Sequence, residues 1–181
     1  MRRLRRIERR RAIYIGVEGD SDRALVGFLQ WCCDEAGLHV YLYIRPGTGG
    51  DSYAIVEHAR RRLERHAGRN EFRHRLVLLD RDRVKQDRLA GRDAPALAAK
   101  AGFEIIYQEP NLEGLLVRLH GNQEQRRVAA ASAEEELRRL WPEYRKPPTV
   151  DQLKQRFKLA DVRRAAQYDQ ELQRLLDILG L

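Results

Sequence analysis

Four apolar runs of strand-like composition, Ala12–Val17, Leu38–Ile44, Arg75–Leu79 and Phe103–Tyr107, alternate with stretches whose apolar residues recur at helical spacing. That alternation restricts the fold more than any other feature of the chain. Strands separated by helix-length segments cannot close as hairpins; they lie parallel, with helices covering both faces of the sheet. Asp22–Gly37 reads as the first helix, with Ala24, Leu25, Phe28, Leu29, Cys32 and Ala36 on one face and a glycine at its end. "RPGTGGD" is a glycine-rich turn into a helix over Tyr53–His66, capped by Asp51 or Ser52. Gln86–Ala101 reads as a helix interrupted near Gly91–Pro95, and "QEPNLEGLLVRLH" opens another after Pro110. The expected fold class is α/β, a mostly parallel central sheet flanked by helices.

From about Ala129 the strand signals stop. "ASAEEELRRL", a break at Pro147–Pro148 and an apolar stripe through Val150, Leu153, Phe157, Val162, Ala165, Leu172, Leu175 and Leu179 predict two or three helices. The expected organisation is a basic N-terminal tail over 1–11, an α/β domain over 12–128 and a helical C-terminal cap over 129–181. Cys32 and Cys33 are adjacent in a predicted helix, where neighbours diverge, so they read as packing residues of a reducing compartment. No apolar run approaches the roughly 18 residues of a membrane span. The arginine-rich start lacks the apolar core of a secretory signal, so a cytoplasmic location is expected.

Function is carried by acids at strand ends. Ala12–Val17 gives way to "EGDSD", and Arg75–Leu79 gives way to "DRDR". If the chain stays extended through Asp80 and Asp82, both carboxylates point one way. Glu18, ending a neighbouring strand, faces the same crevice, since ligands of parallel sheets bind beyond the carboxyl ends of the strands. Oxygen-only donors select a hard cation such as Mg2+ or Mn2+, and such a group suits phosphodiester chemistry. The same residues also have bland readings. Asp20, Ser21 or Asp22 caps a helix, and Asp80 and Asp82 form a strand-end turn partnered by Arg81 and Arg83.

The net charge of +8, with seven arginines among the first eleven residues, favours a polyanionic partner. Arg2, Arg3, Arg5 and Arg6 are the candidate nucleic-acid contacts of the tail. Gly49 and Gly50, with Arg81 and Arg83, are candidate phosphate contacts, the glycines by presenting backbone amides at a helix start. The glycine segment reads equally as an ordinary turn, because no Gly-Lys-Ser/Thr follows it.

"VEGDSD" and "VLLDRDR" resemble the two acidic motifs of the Toprim fold, a Rossmann-like module of topoisomerases, bacterial primases, OLD-family nucleases and ribosomal RNA maturases. "GTGGD", the helix "SYAIVEHARRRL" and "QEPNLEGLLVRLH" resemble the RloB-like group within it. The likeness spans about Ala12 to His120. Pro110–Asn111 inverts that group's dipeptide, Leu112 replaces an aromatic, and Gly114 stands where a larger residue is usual.

The resemblance implies Glu18 as general acid/base and metal ligand, and Asp80 and Asp82 as magnesium ligands. Glu113 and Asp22 become further ligands or orienters, and Gly19 allows close backbone approach to the metal. It implies a metal-dependent nuclease of antiphage defence, working beside a separate ABC-type ATPase, with a homo-oligomer as a further state. A non-catalytic nucleic-acid or ATPase-binding module and an RNA-maturation phosphodiesterase remain the alternatives.

Overall fold

The computed structural model describes residues 10–47, 49–66 and 71–181. The arginines at positions 2, 3, 5 and 6 therefore lie outside the described residues. Four strands, β1 (Arg11–Val17), β2 (Val40–Pro46), β3 (His74–Asp80) and β4 (Glu104–Gln108), pair in parallel in the order β2-β1-β3-β4. The chain leaves β1 outward to β2, then crosses back over β1 to β3. The strand order thus reverses between β1 and β3, and their carboxyl ends flank the crevice where a parallel sheet binds ligands.

Burial on both faces explains the continuous apolar runs. Ile13, Ile15, Val17, Leu76, Leu78 and Ile106 face one layer, while Tyr14, Val77 and Leu79 face the other. The first layer contains α1 (Asp20–Glu35), α5 (Leu112–Leu119) and the C-terminal helices α6 (Ala133–Leu140), α7 (Val150–Arg156), α8 (Leu159–Ala166) and α9 (Gln170–Leu179). The second contains α2 (Ser52–Glu64), α3 (Arg81–Leu89) and α4 (Ala94–Ala101). At Gly16, α2 lies so close that an added Cβ would stand 2.7 Å from the Ala59 Cβ.

The region after Ala129 forms four helices among the described residues. Its apolar stripe shares one core with α1 and the sheet. Thr149 and Gln152 form a reciprocal capping box at the start of α7, and the Asp169 carboxylate accepts the amides of Glu171 and Leu172 at the start of α9. Among the described residues no helix is long and apolar enough to cross a membrane.

Both borders of the sheet are covered by side chains. On β2, the Gln30 amide donates to the Val40 carbonyl (3.2 Å) and accepts from the Leu42 N–H (2.7 Å), as a neighbouring strand would. On β4, Arg174 donates to the Ile105 carbonyl (2.5 Å), and Glu171 accepts the Tyr107 N–H (3.4 Å).

Candidate functional site

Strand ends and helix starts converge on one cavity of about 310 Å3. Its lining includes Glu18, Asp22, Asp80, Asp82, Arg83, Glu113 and Lys146. Glu18 follows β1 directly, and the next turn of chain begins α1. Gly47 holds this exit in place: its N–H donates to the Val17 carbonyl (2.6 Å), and a Cβ there would press at 3.3 Å on the carbonyls of Val17 and Glu18. Gly19 is extended (φ −153°), and a Cβ on it would meet nothing within 4 Å. Neither backbone conformation nor protein packing therefore demands glycine at position 19, and the absent side chain leaves the cavity open beside Glu18.

Asp22, in the first turn of α1, is buried and accepts a hydrogen bond from Gln108 Nε2 (2.9 Å), at the end of β4. Asp80 ends β3, and its Oδ1 accepts the amide of Leu112 (3.2 Å) at the start of α5. Asp82 departs from the sequence expectation. The chain does not stay extended after Asp80; α3 begins at Arg81 and places Asp82 in its first turn. Its N–H donates to the Pro110 carbonyl (3.2 Å), while its Oδ1 is buried with no hydrogen-bond partner. The two aspartates still reach the same cavity, by helix geometry rather than strand alternation.

Glu113, in the first turn of α5, is buried, accepts the Tyr144 hydroxyl (3.1 Å) and pairs with Lys146 Nζ (2.8 Å). Gly114 has a steric reason to depart from the larger residue of the resembled group: a Cβ would stand 2.4 Å from Pro110 Cδ.

Six carboxyl groups, Asp20 included, thus line the cavity with Arg83 and Lys146, and helices α1, α3 and α5 all begin there. Their N-terminal dipole ends favour negative charge, yet not enough to keep the acids at ordinary acidity. Burial, followed by the charges of Asp22, Asp82, Glu18 and Glu113, pushes Asp80 up to about 8. Burial pushes Asp22 up to about 6, against the Gln108 hydrogen bond. Glu18 is also raised, by burial first, with Arg83 and Lys146 opposing. At neutral pH Asp80 therefore holds a proton that an added cation would displace.

The donor chemistry fits a hard divalent ion: carboxylate oxygens alone, one of them buried and unsatisfied. Among the described residues, however, no group of three or more His, Cys, Asp or Glu side chains stands ready to hold a metal. The carboxylates are instead spread among Gln108, the Leu112 amide, Tyr144 and Lys146.

Three of the four candidate phosphate contacts, Arg81, Gly49 and Gly50, are accounted for by other features of the fold. Arg81 turns away from the cavity, pairing with Glu109 and Glu171 and lying 4.3 Å over the Tyr107 ring, because the immediate start of α3 carries it toward β4. Gly49 and Gly50 adopt positive φ (77° and 114°), which explains the glycines as turn residues. The helix start beyond them is already occupied: the Ser52 amide donates to Asp87 Oδ2 (2.7 Å) and the Ala54 amide to Asp51 Oδ1 (2.8 Å). Arg83 does line the cavity. His120 is at the far end of α5, where Nε2 accepts from Arg156 Nε (3.1 Å).

Lys146, Tyr144 and Gln108 escaped the sequence reading. Lys146 carried a signal of its own, being one of five lysines in a chain with thirty arginines. Comparison with family models, curated proteins and solved structures finds no match to this chain.

Proposed function

We propose that this protein is a metal-dependent phosphodiesterase of the Toprim kind, most similar to the RloB-like group, cutting nucleic acid with Mg2+ or Mn2+. One observation carries the reading. Glu18 and Asp80, where adjacent parallel strands end, and Asp82, in the first turn of α3, line a single cavity in which a buried Asp82 oxygen has no partner. Asp80 and Asp82, with Glu18, would hold the ion, and Glu113 and Asp22 would orient them. The ion, when bound, would supply charge stabilisation at the phosphoryl oxygens.

Glu18, its acidity weakened by burial with Arg83 and Lys146 opposing, would accept a proton from the attacking group and return it to a leaving oxygen. Arg83 and Lys146, at the cavity's edge, attract the phosphate backbone. Antiphage defence alongside a separate ABC-type ATPase is the context we propose. A second reading, a non-catalytic binding module, is favoured by one observation: Asp22, Asp80 and Glu113 each already have protein partners.

The test is calorimetric titration of Mn2+ into wild type and Asp80→Ala/Asp82→Ala, with cleavage assays on mixed DNA and RNA. The nuclease reading expects metal binding in wild type only, and metal-dependent cutting that Glu18→Gln lowers about 100-fold or more with nucleic-acid binding intact. Metal binding without cutting favours the module. Absence of both overturns the metal site.

A further inference from the structure

A second concavity, of about 950 Å3, runs along α2 and α4 on the opposite layer of the sheet. Its apolar lining includes the exposed Tyr53, the half-buried Leu97 and the buried Leu63 and Phe103 beneath them. Four cations line it, Arg60, Arg61, Arg75 and Lys100, against two acids, Glu57 and Glu64. Arg60 engages both acids, at 2.8 Å and 2.6 Å, and Arg61 shares Glu57 at 2.8 Å. Lys100 is exposed and makes no ion pair among the described residues. In the first turn of α2, Tyr53 lines the groove and is 40% exposed as a residue.

At Tyr53 the groove lies close to the acidic cavity in the bonded structure, although the two share no lining residue. Arg83, at the cavity, pairs with Asp87 (3.6 Å). Asp87 accepts the Ser52 amide (2.7 Å), and Tyr53 is the next residue. One ion pair, one hydrogen bond and one peptide step thus separate Arg83 from Tyr53. An aromatic platform, apolar surface and cationic edges together match the requirements of a single strand, whose bases stack while its phosphates meet cations.

We infer that the α2–α4 groove is a track for single-stranded nucleic acid entering or leaving the cavity, with Tyr53 stacking on a base and Arg61 and Lys100 meeting phosphates; this rests on the nuclease reading for the substrate class. The track residues lie outside the acidic cavity, so binding can be separated from chemistry.

The test uses the full chain in EDTA, with fluorescein-labelled dT and rU oligonucleotides of about twelve nucleotides and anisotropy read across a salt series. Arg61→Gln/Lys100→Gln removes two phosphate contacts. It should lower affinity about tenfold at ~0.15 M salt and flatten the log–log salt slope by about 1.4. Tyr53→Ala should weaken binding about fivefold or more with the slope unchanged. A duplex of the same length should bind more weakly than the single strand. Thermal melts and Mn2+ titration of each variant, matching wild type, verify that fold and cavity are intact.

Variants that bind and cut like wild type would overturn the track and leave the nuclease reading standing. Groove-dependent binding in a wild type that neither binds metal nor cuts would support the track and sink the nuclease reading. Wild type that binds no oligonucleotide, or a groove from which an acidic peptide but no oligonucleotide is retained, overturns the track.

Discussion

Replacing Asp80 with asparagine should stabilise the metal-free protein, increasingly as pH rises above about 4. Burial and the surrounding carboxylates raise Asp80 from 3.8 to about 8 in the folded state. The unfolded chain titrates near the lower value. Between those two pH values the folded protein holds a proton that the unfolded chain has lost, so stability falls as pH rises and reaches its floor above about pH 8. Four pH units at about 1.4 kcal/mol each set a ceiling of about 6 kcal/mol. Asp80 is partly open to the cavity, where water screens it, which brings the expectation to about 2 kcal/mol.

Asparagine keeps an oxygen for the Leu112 amide, so the substitution removes charge without removing that bond. For a chain of this length the gain corresponds to a melting temperature about 4–8 °C higher for Asp80→Asn near pH 8.5. Below about pH 4 the two proteins should melt together. Calorimetric scans in EDTA at low salt over a pH series measure this directly. A variant that melts at or below wild type near pH 8.5, or a difference that does not change with pH, would refute the repulsion on which the candidate site rests.

Two further predictions concern the scaffold. Arg118 and Asp169 form a buried pair at 2.5 Å, each side chain 7% exposed. Arg118→Met strands the aspartate charge and should cost about 3–5 kcal/mol in urea unfolding; a loss below about 1 kcal/mol would mean that the pair is solvated. Asp169→Asn added to Arg118→Met should recover part of the loss, because asparagine can still cap α9. Gly16→Ala forces a Cβ against Ala59 and should cost about 1–3 kcal/mol. Adding Ala59→Gly should restore part of it, and failure to do so would show that α2 approaches β1 less closely.

The strands were legible because each is apolar on both faces and sits between helices, a pattern that only a doubly covered parallel sheet satisfies. The acids at their ends were legible for the same reason, since topology places strand ends together. The start of α3 was not. Of Arg81–Leu89 only Val84 is buried, so the helix has no apolar stripe to announce it, and its first turn reads as strand overrun. The fourth C-terminal helix was hidden by connections so short that one stripe ran through α7, α8 and α9. Lys146 and Tyr144 reach Glu113 from about thirty residues away by tertiary packing, which no local spacing encodes. Of the two readings open for the glycine segment, the geometry favours the ordinary turn: its glycines at 49 and 50 have positive φ, while Asp51 and Asp87 take two amides at the helix start.

The guard on β4 has a consequence for synthesis. Arg174 and Glu171, which occupy the groups at that border, belong to α9, far along the chain from the strand they cover. During translation β4 can pair with β3 well before residues 170–179 exist. For that interval the growing chain presents an uncovered strand whose free N–H and C=O groups can recruit another nascent chain. The β2 border has no such interval, because Gln30 precedes the strand it covers. The order in which the ribosome delivers its parts thus leaves one side of this sheet protected from birth and the other dependent on a later arrival.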